Sequence, residues 1–107
     1  MKKGDIILVP FPFTDLQGNK NRPALVLINS PEDVTVCFIT TQFQWKSEFD
    51  VEIIPTIENG LKRESLIRLN KFATIDKGII PGKLGELQKD TICKINENLI
   101  KILQLQE

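Results

Sequence analysis

The chain has 107 residues, 41% of them apolar, with 14 basic and 14 acidic side chains and no histidine or tyrosine. That length suits one domain with an ordinary core. Without histidine, a Ser-His hydrolase, a paired-imidazole nuclease and a Cys/His zinc site are excluded.

Residues 5–13 (DIILVPFPF) are apolar, with prolines that suit an edge or a strand end, and predict a first strand. Residues 14–21 (TDLQGNKN) carry the turn formers Asp, Gly and Asn and read as a loop. Residues 23–29 predict a second strand, 30–33 a turn, and 34–40 (VTVCFIT) a strongly β-prone third strand. Residues 41–49 are polar, with Phe43, Trp45 and Phe49 among them, and read as a long loop. Alternation predicts strands over 50–54 and 63–69, separated by a turn that ends near Gly60, and a last short strand over 82–87. Ile92, Ile95, Leu99 and Ile102 recur at helical spacing, which predicts a helix over about 88–105 with Asp90 near its start, where a carboxylate suits the dipole.

The expected architecture is one domain over residues 1–107, mainly β with α (α+β). Five or six short strands form a small, strongly curved sheet or barrel closed by a C-terminal helix. Cys37 and Cys93 each sit in an apolar pattern and are expected as two buried, reduced thiols. No apolar run reaches the ~18 residues of a membrane helix, and Met1-Lys2-Lys3-Gly4-Asp5 leads into no signal-peptide core. The expected compartment is the cytoplasm, with no membrane partner.

The net charge is zero but the charges are not mixed. Residues 31–58 carry Lys46 against Glu32, Asp33, Glu48, Asp50, Glu52 and Glu58. Residues 59–77 carry Lys62, Arg63, Arg68, Lys71 and Lys77 against Glu64 and Asp76. A neutral total therefore leaves room for a local anion-binding face. The glycines are scattered, with no phosphate-cradling loop. The chemistry that remains is arginine, lysine, carboxylates, hydroxyls and backbone amides, a set suited to binding a phosphate. Arg22 enters a strand directly before Pro23, Thr40 ends a strand, and Arg68 lies within another. In a small curved sheet, strand ends can converge on one rim. Each residue also has a plainer explanation: a surface ion pair for Arg22, β-propensity for Thr40, a solvent face for Arg68. The aromatics of 41–49 suit base stacking or the covering of a core.

Together, KKGDIILVPFPFTD…NRPALVL, CFITTQ and RESLIRLNKFATID resemble the PemK/MazF family of type II toxin–antitoxin toxins. The resemblance runs in order over residues 2–77, through Gly4-Asp5-Ile6, Arg22-Pro23-Ala24-Leu25-Val26, Thr40-Thr41-Gln42 and Thr74-Ile75-Asp76. It implies an SH3-like barrel with added helices, usually a homodimer. The implied activity is metal-independent, sequence-selective endoribonuclease cleavage of single-stranded messenger RNA, with no cofactor (an mRNA interferase). The 2′-hydroxyl attacks the adjacent phosphorus and leaves a 2′,3′-cyclic phosphate. The implied partners are a cognate antitoxin that neutralises the toxin and, only within that complex, operator DNA.

Carried across residue by residue, the resemblance makes Arg22 and Thr40 catalytic and places Ser65, Arg68 and Asn70 in support on a later strand. Gln17, Asn19, Lys20 and Gln42 are the loop candidates for RNA binding. Gln17 and Asn70 stand where some members have Glu and Asp, which removes two candidate proton carriers. The alternative is a non-catalytic SH3-like module that binds nucleic acid or protein, such as a decayed toxin or a DNA-binding component of a toxin–antitoxin complex.

Overall fold

Among the described residues, aliphatic and β-branched runs separated by turn formers give six strands and one α-helix. They are β1 (Asp5–Phe11), β2 (Lys20–Asn29), β3 (Asp33–Thr40), β4 (Val51–Ile53), β5 (Ser65–Asp76), β6 (Gly82–Glu86) and α1 (Lys89–Ile102). The computed structural model describes residues 1–11 and 20–106. All strands join one antiparallel sheet in the order β4-β5-β3-β2-β1-β6. No described helix is long and apolar enough to cross a membrane.

The sheet is curled into a half-barrel, and the burial pattern shows why. Ile6 and Ile7 are neighbours on β1, so they point to opposite faces, yet both are fully buried, as are Ala24, Leu25 and Val26 on β2. One buried layer holds Ile6, Leu25, Cys37, Ile67 and Leu69 under α1, whose Ile95 is sunk into it with Ile92, Leu99 and Ile102 alongside. The second holds Ile7, Val9, Ala24, Val26, Val34, Val36 and Ile75, with Phe38, Ala73 and Ile80 packed on it. Full burial of one such aliphatic side chain contributes about 1.5–3 kcal/mol. Bulges at Ile6/Ile7, Val26/Ile28 and Cys37/Phe38 supply the bending.

Pairing lengthens two strands beyond their local propensity. β2 begins at Lys20 rather than at residue 23, because Lys20, Asn21 and Arg22 face Phe11, Pro10 and Val9 of β1. β5 runs to Asp76, well past the expected end at Leu69, because its second half pairs with Asp33–Cys37. Residues 41–49 hold one short 3-10 turn, Phe43–Trp45. The cysteine expectation is corrected in half: Cys37 is buried but Cys93 is exposed. Cys93 follows Ile92 by one residue, about 100° around the helix from the apolar stripe.

Candidate functional site

The register of β2 and β3 explains how the site is assembled. Ala24 is paired with Phe38. Continued two residues further, that register sets Arg22 opposite Thr40 on the same face as Ala24 and Phe38. On the other side of β3, Phe38 is paired with Arg68. Three strands thus bring Arg22, Thr40 and Arg68 to one end of one face. All three line a cavity of about 600 Å³.

β5 contributes more than Arg68. Between Cys37 and Phe38 the partner on β5 jumps from Phe72 to Arg68, so Leu69, Asn70 and Lys71 have no opposite number. Such a bulge re-aims side chains. Leu69 turns inward and is fully buried, whereas Asn70, Lys71 and Phe72 line the cavity. The segment after β3 closes another side with Gln42 and Trp45. Trp45 is 66% and Phe72 42% exposed, so two large aromatic faces border a cationic cavity.

Local hydrogen bonds order these groups. The backbone N–H of Gln42 donates to Thr40 Oγ1 at 3.1 Å, which leaves the threonine hydroxyl proton as a donor. Gln44 donates to Gln42 Oε1 at 3.0 Å. Arg68 Nε lies 3.3 Å from Asp50 Oδ2, and that oxygen also accepts the Ser47 backbone N–H at 2.9 Å. The other oxygen, Asp50 Oδ1, is buried without a hydrogen-bond partner among the described residues. Asn98 of α1 donates to the Phe49 carbonyl at 3.0 Å, tying the end of the 41–49 segment to the helix.

Arg22, Thr40, Gln42, Arg68 and Asn70 are therefore brought together. Ser65 is not: it is buried, donates to the Arg63 carbonyl at 2.9 Å, and lines a separate pocket. Lys20 is exposed at the start of β2 and does not line the cavity. Gln17 and Asn19 lie outside the described residues. Sequence reasoning missed Lys71, Phe72 and Asp50 as site residues. The basic excess of residues 59–77 pointed toward Lys71; the role of Phe72 depends on the bulge and that of Asp50 on its contact with Arg68. Among the described residues, no group of three or more His, Cys, Asp or Glu is placed to hold a metal ion.

A family profile, that of the PemK-like, MazF-like toxins of type II toxin–antitoxin systems, matches residues 2–103. The chain belongs to this toxin family. Solved structures carry the same fold. An endoribonuclease in complex with its cognate antitoxin from Mycobacterial species has a TM-score of 0.77 at 19% identity, covering 100% of this chain and 98% of that one. The Mycobacterium tuberculosis toxin MazF-mt6 has a TM-score of 0.76 at 21% identity, covering 96% and 99%. The MazE-MazF structure (Form-II) from Deinococcus radiodurans has a TM-score of 0.76 at 19% identity, covering 99% and 97%. No curated protein matches the chain. In this chain the cavity opens at the start of β2 and the end of β3.

Proposed function

We propose that this PemK/MazF-family toxin is a sequence-selective endoribonuclease that cuts single-stranded messenger RNA in the cytoplasm, working without a metal or cofactor. The substrate's own 2′-hydroxyl attacks the adjacent phosphorus, the 5′-oxygen leaves, and the products carry a 2′,3′-cyclic phosphate and a 5′-hydroxyl. Negative charge builds on the non-bridging oxygens. Arg22 and the Thr40 hydroxyl meet it, and Lys71 adds a second cation. Arg68, tethered to Asp50, orients the phosphate and walls the cavity. Trp45 and Phe72 offer faces on which unstacked bases rest, while Gln42 and Asn70 read base edges. The protein acts as a homodimer held inactive by a cognate antitoxin, and operator DNA is met only through that complex.

The observation that carries this reading is the convergence of a guanidinium and a hydroxyl from separate strands on one cavity. The chemistry they can perform follows from preorganised donors: losing one such donor costs about 10²–10³ in rate.

The test incubates the purified protein with a mixed transcript pool in excess chelator and maps the cut ends. The expected result is cleavage at a restricted set of sequences, leaving cyclic phosphates. Arg22 is exposed, so Arg22→Ala keeps the fold and lowers cleavage by about 10²–10³. A pool that stays intact with the wild-type protein overturns the nuclease reading in favour of a binding module.

A further inference from the structure

A second pocket, of about 410 Å³, is lined by residues next to those of the first at the same strand ends. Arg22 lines the first and Pro23 the second; Thr40 lines the first and Thr41 the second. Successive strand residues face opposite sides, so the two cavities sit back to back around the rim formed by β2 and β3. The β3–β5 register, in which Thr40 faces Leu66, carries Thr41 to a position opposite Ser65.

The second pocket has an apolar floor made by Leu8, Pro23, Leu61 and Leu84, and a rim that carries Lys62 and Arg63. Its walls are fixed. The Asn59 side chain accepts the Thr56 and Leu61 N–H groups at 3.0 and 2.9 Å and donates to the Ile54 carbonyl at 2.9 Å. Gly60 takes φ +70°, and a Cβ there would collide with the Leu84 carbonyl. Lys62 and Arg63 are exposed, and no ion pair joins either of them to an acid among the described residues. Four of the five cations of residues 59–77 thus divide: Arg68 and Lys71 line the first cavity, Lys62 and Arg63 the second.

We propose that the second pocket is a subsite for a neighbouring nucleotide of the same RNA strand, whose backbone rounds the ends of β2 and β3 from one cavity to the other. The apolar floor takes a base face, and Lys62 with Arg63 takes its phosphate. This inference rests on the nuclease reading above. It predicts that the enzyme holds longer strands better than short ones through contacts remote from the chemistry.

The experiment uses random-sequence 2′-O-methyl RNA, which lacks the nucleophile, in pools of about 4 and about 12 nucleotides. Binding is titrated across salt for the wild type and for Lys62→Ala/Arg63→Ala, and cleavage of unmodified RNA is followed in parallel. The wild type is expected to bind the longer pool more tightly. The double variant loses that preference, and its salt slope on the longer pool is shallower by about 0.7, the value for one lost phosphate contact on a single strand. It keeps wild-type affinity for the short pool and still cuts short RNA. A double variant with the wild-type length preference and salt slope overturns the subsite and leaves the nuclease reading standing. A wild type that neither binds nor cuts RNA overturns both.

Discussion

Arg68 is tethered by Asp50: its Nε lies 3.3 Å from Oδ2 of a carboxylate whose side chain is 1% exposed, while the arginine side chain itself is 17% exposed. The aspartate ends the 41–50 segment and the arginine lies in β5, so one ion pair joins two walls of the candidate site. It also offsets the charge of Arg68; Arg22 and Lys71 are the other cations among the described lining residues.

Removing either partner has unequal consequences. Arg68→Met leaves the buried Asp50 carboxylate without its cation and is expected to cost about 3–5 kcal/mol. Asp50→Asn keeps an acceptor for the Ser47 N–H and leaves only a partly exposed cation unpaired, so about 1–3 kcal/mol is expected. Urea unfolding of the two variants measures the difference. Equal losses would show that the pair does not set the stability of this corner.

Thr40 separates hydrogen bonding from shape. Thr40→Val keeps the volume but removes both the acceptor for the Gln42 N–H and the proposed donor to the phosphate. Its kcat on RNA is expected to fall by about 10²–10³. Thr40→Ser restores the hydroxyl and is expected to stay close to wild type. Single-turnover cleavage of one mapped site reads both.

Lys71 carries the proton question. No carboxylate or histidine stands among the described residues that line the cavity, and a guanidinium is a poor proton carrier. The Lys71 ammonium is the remaining group that can donate to the leaving 5′-oxygen. Lys71→Arg keeps the charge and is expected to retain RNA affinity while cleavage slows by about 10². A variant that cuts at the wild-type rate would limit Lys71 to electrostatic attraction.

The two cysteines are expected to behave differently. Burial pushes the Cys37 thiol up from 9.0 to about 12, and the Asp50 charge adds to the rise against an opposing backbone hydrogen bond. Cys93 is exposed on α1. Iodoacetamide at mildly alkaline pH is expected to label Cys93 alone in the folded protein and both after unfolding, counted by mass. The linkage sign follows: the unfolded chain releases the Cys37 proton first, so this contribution to stability is complete below pH 9.0 and declines as pH rises from there toward about 12. Cys37→Ser is expected to flatten that decline.

Local sequence carried much of this fold. The apolar stripe of Ile92, Ile95, Leu99 and Ile102 predicted a helix over about 88–105, and α1 occupies 89–102. Alternation and turn formers placed every strand to within a few residues, except for the far half of β5. That half, residues 70–76, carries Lys71, Phe72 and Ala73 out of strict alternation, and only its partner β3 makes it a strand. Cys93 shows the same limit: an apolar neighbourhood in sequence did not reveal that one helical step turns the thiol to solvent.

Residue types by themselves narrowed the chemistry open to this chain, which lacks histidine, to arginine, lysine, carboxylates, hydroxyls and backbone amides, carried on short strands. The order of those residues, matched along most of the chain, determined the family. Tertiary structure alone decided which of them meet. Ser65 lies on the same strand as Arg68 yet lines a different pocket, because alternation and curvature part them. Asp50 became part of the site because antiparallel pairing carries β5 past the end of the 41–50 segment. Such meetings depend on register and bulges between strands distant in sequence, and no local pattern encodes them.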